Sequence, residues 1–301
     1  MDYSDAQADL VRIVVGIDGS PGSEAALRWA CQEAGLRPAA VTAVTAWTAD
    51  GRPRRVGHLA THKDREGLAA AARALLDTSI SHVRDDYPMV VVTPVERHAE
   101  PVAALLEMAA QADLVVVGAR GDSLMRRLVA GSTSQTVVHH CPVPVVVARE
   151  LQRPAPAEKR PVAVGVDGSV TSLAALRWAA GEAAIRDVPL RVVHSWGGLD
   201  PLYSDQLLSS EHVVTRVART LLDDAVKLGL DATPKVELHP VIAAEAPAVA
   251  LLKESAHAQL LVVGGRGGGG FAELTLGSVS HQCVMHAACP VAVVRSDQIP
   301  A

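Results

Sequence analysis

Short continuous runs of Val and Ile alternate along this chain with longer stretches rich in Ala, Leu and charged residues. A short apolar run rich in β-branched residues predicts a strand buried on both faces of a parallel sheet, and the longer amphipathic stretches predict helices. In the first half we predict strands at residues 11–17, 41–47, 89–95, 114–117 and 143–147. Helices are predicted at about residues 20–35, 63–84, 101–110 and 131–139, and a polar loop at 48–62.

The second half of the chain repeats the first. Residues 11–20 (VRIVVGIDGS) match residues 160–169 (RPVAVGVDGS), and residues 25–30 (AALRWA) recur at 174–179, both at an offset of 149. Strands are accordingly predicted at residues 162–166, 190–196, 234–238, 260–263 and 291–294. We therefore predict two domains, residues 1–150 and 160–301, joined by a linker rich in Pro and Ala at 151–159.

The alternation of strands and helices predicts two tandem α/β domains, each a doubly wound, Rossmann-like sheet of five parallel strands. In this layout the first and fourth strands are central. Ligands bind in the crevice outside the carboxyl ends of the strands, where the winding reverses. Asp18 follows the first strand and Gly118 follows the fourth, while Asp167 and Gly264 take the same places in the second half. The sequence thus predicts one binding crevice in each domain.

A glycine-rich pattern follows the fourth strand of each half. It reads GxxG, nine residues, then G[ST]xS, and it covers residues 118–121 with 131–134 and residues 264–267 with 277–280. Glycines let backbone N–H groups face an anion, and a helix N-terminus adds a favourable dipole, so the pattern predicts a phosphate site. The residues could also be ordinary turn glycines and helix caps. Likewise, the two aspartates could belong to a structural Asp-Gly-Ser turn that caps the first helix, or they could bind a sugar hydroxyl or an adenine amino group, or help to hold a metal ion.

Composition narrows the classes of function. The net charge is −5 without a basic block, which argues against nucleic acid as the main partner. Four cysteines without a CxxC pair are typical of reduced thiols in a cytosolic protein, and the acidic N-terminus is unlike a signal peptide. The apolar runs are too short for a membrane helix. We expect a cytoplasmic protein without a membrane partner.

One group of potential metal ligands is His281, Cys283, His286 and Cys289. On a helix these positions do not converge on one ion, so no metal site is predicted.

The repeated VG[IV]DGS sequence, the glycine-rich pattern and the CPV sequence before each last strand resemble the ATP-binding universal stress proteins in their tandem two-domain form. The resemblance covers nearly the whole chain. It implies a stress-response regulatory or sensor protein that binds ATP, with or without Mg²⁺, at one site per domain, and that acts on an unknown partner protein.

The resemblance also implies which residues hold the nucleotide. In the first domain they are Gly16, Asp18, Ala46, Gly118, Ala119, Arg120, Gly121, Gly131, Ser132, Thr133 and Ser134. In the second domain they are Gly165, Asp167, Ser195, Gly264, Gly265, Arg266, Gly267, Gly277, Ser278, Val279 and Ser280. The spacer of the first domain also carries Arg126 and Arg127, which could add positive charge near a triphosphate or could simply be solvated.

Enzymatic and non-nucleotide functions are the alternatives. The chain carries no Walker lysine motif, no set of kinase motifs and no evident general base near the glycines, so we expect no fast ATP turnover and assign no catalytic residue. A slow ATPase or an autophosphorylating enzyme, with Ser132 or Ser134 near the γ-phosphate, remains possible, as does a nucleotide-independent, chaperone-like interaction module.

The predicted last strand of each half would form an apolar sheet edge. Such edges favour pairing with another strand, so we predict that the last strands of the two halves pair with each other. A homodimer of the whole chain is expected in addition.

Overall fold

A computed structural model describes residues 10–62, 64–119, 132–149, 159–197, 211–230, 236–266 and 276–295 of the 301-residue chain. The chain divides into two compact units, residues 1–150 and 151–301. We call them domain 1 and domain 2. Each contains a sheet of five parallel strands with helices between them, which confirms the predicted α/β class.

Domain 1 carries its strands in the order β3-β2-β1-β4-β5, so β1 and β4 are central neighbours. In the register of the sheet, Val15 lies opposite Ala43 on β2 and Val116 on β4. The elements are β1 (Val11–Gly16), α1 (Pro21–Leu36), β2 (Ala39–Trp47), α2 (Arg54–Leu59), α3 (Arg65–Arg84), β3 (Val92–His98), α4 (Pro101–Ala109), β4 (Leu114–Gly118), α5 (Ser132–His140) and β5 (Val145–Ala148).

Domain 2 repeats this arrangement with its strands in the order β10-β9-β6-β7-β8. Strands β6 and β9 take the places of β1 and β4, and they pair directly in parallel. The elements are β6 (Val162–Gly165), α6 (Val170–Ile185), β7 (Leu190–Ser195), α7 (Glu211–Leu230), β8 (Leu238–Ala243), α8 (Pro247–Ser255), β9 (Leu260–Gly264), α9 (Ser278–His286) and β10 (Val291–Val294).

The core of domain 1 lies on both faces of the central strands. Consecutive residues Ile13, Val14 and Val15 are all buried, although their side chains point alternately to opposite faces. Helix α1 packs beside α3, and α4 packs beside α5, so each face is covered by a pair of helices. This double coverage is why the strands appear in the sequence as continuous apolar runs instead of alternating patterns.

The segment predicted as a polar loop at 48–62 contains a helix, α2, and that part of the prediction is wrong. Val56 on α2 is fully buried and joins Trp47, Leu68, Ala71 and Leu75 in a hydrophobic cluster. Two apolar residues, Val56 and Leu59, among Arg, Gly and His give little periodic signal, and only Val56 is buried. The helix is therefore stabilised by its tertiary contacts more than by its own pattern.

The third strand of each domain was predicted several residues too early. The apolar run at 89–92 suggested a strand at 89–95, but Met89 and Val91 are 92% and 78% exposed and β3 begins at Val92. In domain 2 the strand predicted at 234–238 is β8, Leu238–Ala243. Both are edge strands, paired on one side only in their own sheets, and both tolerate a proline inside the strand, Pro94 and Pro240.

Candidate functional site

The turn after β1 places a carboxylate at the carboxyl end of a central strand. Gly19 has a φ of +76°, which favours glycine, and it reverses the chain between Asp18 and helix α1. Asp18 Oδ1 accepts hydrogen bonds from the Ser20 backbone N–H at 2.9 Å and the Ser20 hydroxyl at 2.5 Å. Ser20 Oγ in turn accepts from the Ser23 N–H at 3.2 Å and caps α1. The half-buried Asp18 therefore helps to hold the start of α1 as well as facing the crevice.

Domain 2 repeats this turn with the same donors. Asp167 Oδ1 accepts from the Ser169 N–H at 3.0 Å and the Ser169 hydroxyl at 2.6 Å. Ser169 Oγ accepts from the Ser172 N–H at 3.2 Å, and Gly168 has a φ of +81°. The structural Asp-Gly-Ser turn that the sequence left open is thus present in both domains, with the serine capping the helix and the aspartate accepting from the serine.

Strand β4 comes very close to the first turn of helix α1. A Cβ atom on Gly118 would lie 2.5 Å from the carbonyl carbon of Gly22 and 2.6 Å from its oxygen. In domain 2 the equivalent Gly264 is less crowded, because its Cβ would lie 3.1 Å from the carbonyl carbon of Thr171. In domain 1 the first glycine of the motif is therefore needed for packing between a strand and a helix, independently of any ligand.

The last serine of each motif holds the following helix against the fourth strand. Ser134 Oγ donates to the Gly118 carbonyl at 2.6 Å, and Ser280 Oγ donates to the Gly264 carbonyl at 2.5 Å. Both serines are buried. Their hydroxyl protons are therefore used inside the protein, which makes Ser134 a poor candidate for autophosphorylation.

The second residue of each glycine motif is also committed to the fold. The Ala119 N–H donates to Ala148 O at 2.9 Å, and the Gly265 N–H donates to Val294 O at 2.7 Å. These N–H groups extend the pairing of the fourth strand with the last strand of its domain. They are not available to an anion, so the donors for a phosphate must come from elsewhere in the motif.

Most of the described residues predicted for the first site line one cavity of about 580 Å³ at the carboxyl ends of the strands in domain 1. Asp18 lies on one wall, and Ser132 and Thr133 lie at the N-terminus of α5 on another. The predicted residues that line the cavity are Gly16, Asp18, Ala46, Gly118, Ser132, Thr133 and Ser134. Five predicted site residues lie outside the described part of the chain: Arg120, Gly121, Arg127, Gly131 and Gly267.

Two walls of this cavity were not predicted. One is formed by the loop after β2 and the start of α2, with Gly51, Arg52, Pro53 and Arg54. The other is the start of α4 and its first turns, with Glu100, Pro101, Val102 and Leu105. Their sequence signal was available in principle, because the two segments follow the carboxyl ends of β2 and β3, the strands on one side of β1 in the sheet order.

The described site residues of domain 2 surround the equivalent strand ends. Gly165 ends β6, Gly264 ends β9, and Gly277 caps helix α9, whose first residues are Ser278 and Val279. The Gly277 N–H donates to the Gly265 carbonyl at 2.8 Å, which ties the helix start to the end of the strand.

Two further residues predicted for domain 2 make hydrogen bonds with neighbouring segments. The exposed Arg266 accepts a hydrogen bond on its backbone carbonyl from the Thr171 hydroxyl. The Ser195 hydroxyl, at the end of β7, donates to the Glu245 carbonyl.

The cysteine of helix α9 is in an apolar environment. Burial raises the pKa of Cys283 to about 12, so the thiol stays neutral at physiological pH. In the described residues, no three or more His, Cys, Asp or Glu side chains are grouped so that they could hold a metal ion. Nor is any described helix long and apolar enough to span a membrane.

Comparison with known proteins finds the same family in both halves of the chain. The model of the Universal stress protein family matches residues 11–149 and 159–295. A universal stress protein of Mycolicibacterium smegmatis is 33% identical over 294 residues, which cover 94% of this chain and 96% of that protein.

One solved structure of a universal stress protein supports the fold. The crystal structure of a universal stress protein from Archaeoglobus fulgidus has a TM-score of 0.64 at 18% identity and covers 95% of this chain and 98% of its own. A universal stress protein from Archaeoglobus fulgidus in complex with dAMP is 25% identical, covers 45% of this chain and 97% of its own, and has a TM-score of 0.29.

Proposed function

Because this chain belongs to the universal stress protein family, we propose that it is a regulatory protein that binds one adenine nucleotide, ATP, in each domain. Nucleotide occupancy, without rapid turnover, would set which conformation or partner-binding state the protein adopts. The proposal rests chiefly on the cavity of domain 1.

The cavity has the size and the polar groups that a nucleotide needs. Its volume of about 580 Å³ lies within the range of small-molecule sites. The N-terminus of helix α5 supplies backbone N–H groups and the hydroxyls of Ser132 and Thr133 for phosphate oxygens. Asp18 supplies a carboxylate that can accept from ribose hydroxyls, and Ile17, Ala46 and Val102 supply apolar surface for a base.

The order of the strands predicts the direction in which the nucleotide lies. Helix α5 follows β4, Asp18 follows β1, Ala46 is near the end of β2, and Glu100 follows β3. Neighbouring strands are about 4.8 Å apart, so the ends of β4 and β3 are separated by about 14 Å across the sheet. The phosphates would lie at α5, the ribose near Asp18 and the base between the ends of β2 and β3.

Domain 2 supports a second site through matching hydrogen bonds. The Asp167 turn and the Ser280–Gly264 contact repeat those of domain 1. Helix α9 presents Ser278, which is exposed, and Val279, which is half-buried, at its N-terminus as α5 presents Ser132 and Thr133. These matches support an anion-binding part of the site in domain 2 as well as in domain 1.

Nucleotide content is the direct test. The purified full chain is denatured, and the small molecules that it releases are identified by mass spectrometry. The nucleotide-free protein is then titrated with ATP and Mg²⁺ in a calorimeter. We expect an adenine nucleotide in the first experiment and saturable binding, at up to two per chain, in the second. Absence of both would reject the proposal.

Turnover is tested separately, by following phosphate release from labelled ATP during prolonged incubation. The regulatory proposal predicts much less than one turnover per minute. Release at several turnovers per minute would favour the alternative of an ATPase.

A further inference from the structure

We propose that Glu100 is the residue that selects the base in domain 1, by accepting a hydrogen bond from an exocyclic amino group. The inference rests on the proposed nucleotide site and adds a specificity that differs between the two domains. Domain 1 would prefer a 6-aminopurine to a 6-oxopurine, and domain 2 would discriminate less.

The carboxylate of Glu100 is held in place by the loop after β2. The Thr48 hydroxyl donates to Glu100 Oε1 at 2.9 Å, and the Gly51 N–H donates to Thr48 Oγ1 at 2.8 Å. A Cβ atom on Gly51 would lie only 2.8 Å from Glu100 Oε2, so the glycine lets the loop pack directly against the carboxylate. Glu100 occupies the N-cap position of α4 but makes no capping hydrogen bond with its side chain. Its orientation is thus set by the cavity wall and not by the helix.

Glu100 lies at the end of the cavity where the base is expected. It follows β3, the strand farthest from β4 on that side of the sheet, and helix α5 follows β4. Ala46 and Val102 line the same cavity and give the base apolar contact. Glu100 belongs to this lining, and in its ionised form a carboxylate only accepts hydrogen bonds. It would therefore attract an amino group on the base and repel a carbonyl oxygen in the same position.

Domain 2 carries different residues at the positions of Thr48 and Glu100. The position equivalent to Thr48 is Gly197, and the position equivalent to Glu100, directly before the proline that starts the helix, is Ala246. A Cβ atom on Gly197 would lie 2.0 Å from the Ala244 carbonyl oxygen, so no larger residue fits there. Both halves of the Thr48–Glu100 hydrogen bond are therefore missing from these two positions of domain 2.

The experiment compares ATP with inosine triphosphate, which carries an oxo group where ATP has the 6-amino group. The full chain is titrated with each nucleotide, and hydrogen exchange of peptides containing residues 132–136 reports the occupancy of domain 1. Glu100→Ala should lower the preference of domain 1 for ATP by about tenfold or more, as expected for the loss of a hydrogen bond to a charged group. Glu100→Gln should also lower the preference, because its amide can donate to the oxo group of inosine triphosphate as well as accept from the amino group of ATP.

Glu107→Ala is the matched control, because Glu107 is an exposed carboxylate on the same helix that does not line the cavity. It should leave the preference of domain 1 unchanged. The inference is overturned if wild-type domain 1 binds both nucleotides equally, or if Glu100→Ala alters the preference no more than Glu107→Ala. Binding of neither nucleotide to wild-type domain 1 would instead reject the proposed nucleotide site itself, so the two failures are distinguishable.

Discussion

Asp18 and Asp167 each make structural hydrogen bonds and also lie at the crevice of their own domain. Asp18 and Asp167 each accept two hydrogen bonds from the serine that caps the next helix, at the carboxyl end of a central strand. The sequence DGS was enough to predict their position. It was not enough to separate capping from ligand binding, because both uses need an acceptor oxygen in the same turn. The structure shows the capping, and the ligand contact stays a prediction.

The motif glycines Gly118 and Gly264 differ in the cost of adding a methyl group, which the sequence pattern alone does not reveal. Gly118→Ala should lower the free energy of unfolding by about 1–3 kcal/mol, because its Cβ would overlap the Gly22 backbone and neither strand nor helix can move freely. Gly264→Ala should cost less than about 1 kcal/mol, since a shift of a few tenths of an ångström relieves its contact with Thr171. Urea unfolding of the full chain, followed by tryptophan fluorescence, measures both. Equal losses would show that the close approach at Gly118 is not tight.

Secondary-structure elements were predictable where they are buried and less so at the edges. Strands β1, β4, β6, β9 and β10 were placed within one residue, because a strand covered on both faces must be continuously apolar. The edge strands β3 and β8 were misplaced, since their own burial is only partial and gives no such run. Helix α2, with one buried residue, could not be predicted from its pattern.

Two equivalent helices, α3 and α7, differ in the burial of one matching leucine. On α3, Leu75 is 1% exposed within the cluster that Val56 of α2 completes. On α7 the equivalent residue, Leu221, is 53% exposed, and Val217 one turn earlier is 54% exposed. The same leucine of the repeated sequence is therefore buried in domain 1 and about half exposed in domain 2.

The leucine pair gives a test of this difference. Leu75→Ala should lower the free energy of unfolding by about 2–5 kcal/mol, as for a fully buried leucine that leaves a cavity. Leu221→Ala should change it by less than about 1 kcal/mol, because much of its surface already meets solvent. Both variants are compared with wild type by urea unfolding, with each transition fitted separately. A large loss in Leu221→Ala would mean that this face of α7 is covered in solution.

At the scale of the whole chain, the duplication keeps one buried-strand contact with different residue types and loses another contact at the crevice. The Thr45 hydroxyl donates to the Ile17 carbonyl at 3.0 Å in domain 1, and in domain 2 His194 Nδ1 lies 2.9 Å from the equivalent Val166 carbonyl. By contrast, the Thr48–Glu100 pair has no equivalent at Gly197 and Ala246. The repeat predicted that there are two sites. It could not predict how they differ, because the differences lie in loops whose contacts depend on the folded sheet.

If each domain holds its own nucleotide, a change at one aspartate should affect only one domain. Asn in place of Asp18 or Asp167 keeps the oxygen that accepts from the serine N–H, so the fold of the turn is retained while the negative charge is lost. A hydrogen bond from a ribose hydroxyl to a charged acceptor is stronger than one to a neutral acceptor by about 1 kcal/mol, so each variant should lose roughly fivefold in affinity at its own site.

Hydrogen exchange with and without ATP measures the affinity of each domain separately. In Asp18→Asn, peptides spanning 16–20 and 132–136 should need more ATP for protection, while peptides spanning 165–169 and 278–282 respond as in wild type. Asp167→Asn should give the reverse, and a loss of protection in both domains from either single change would contradict independent sites.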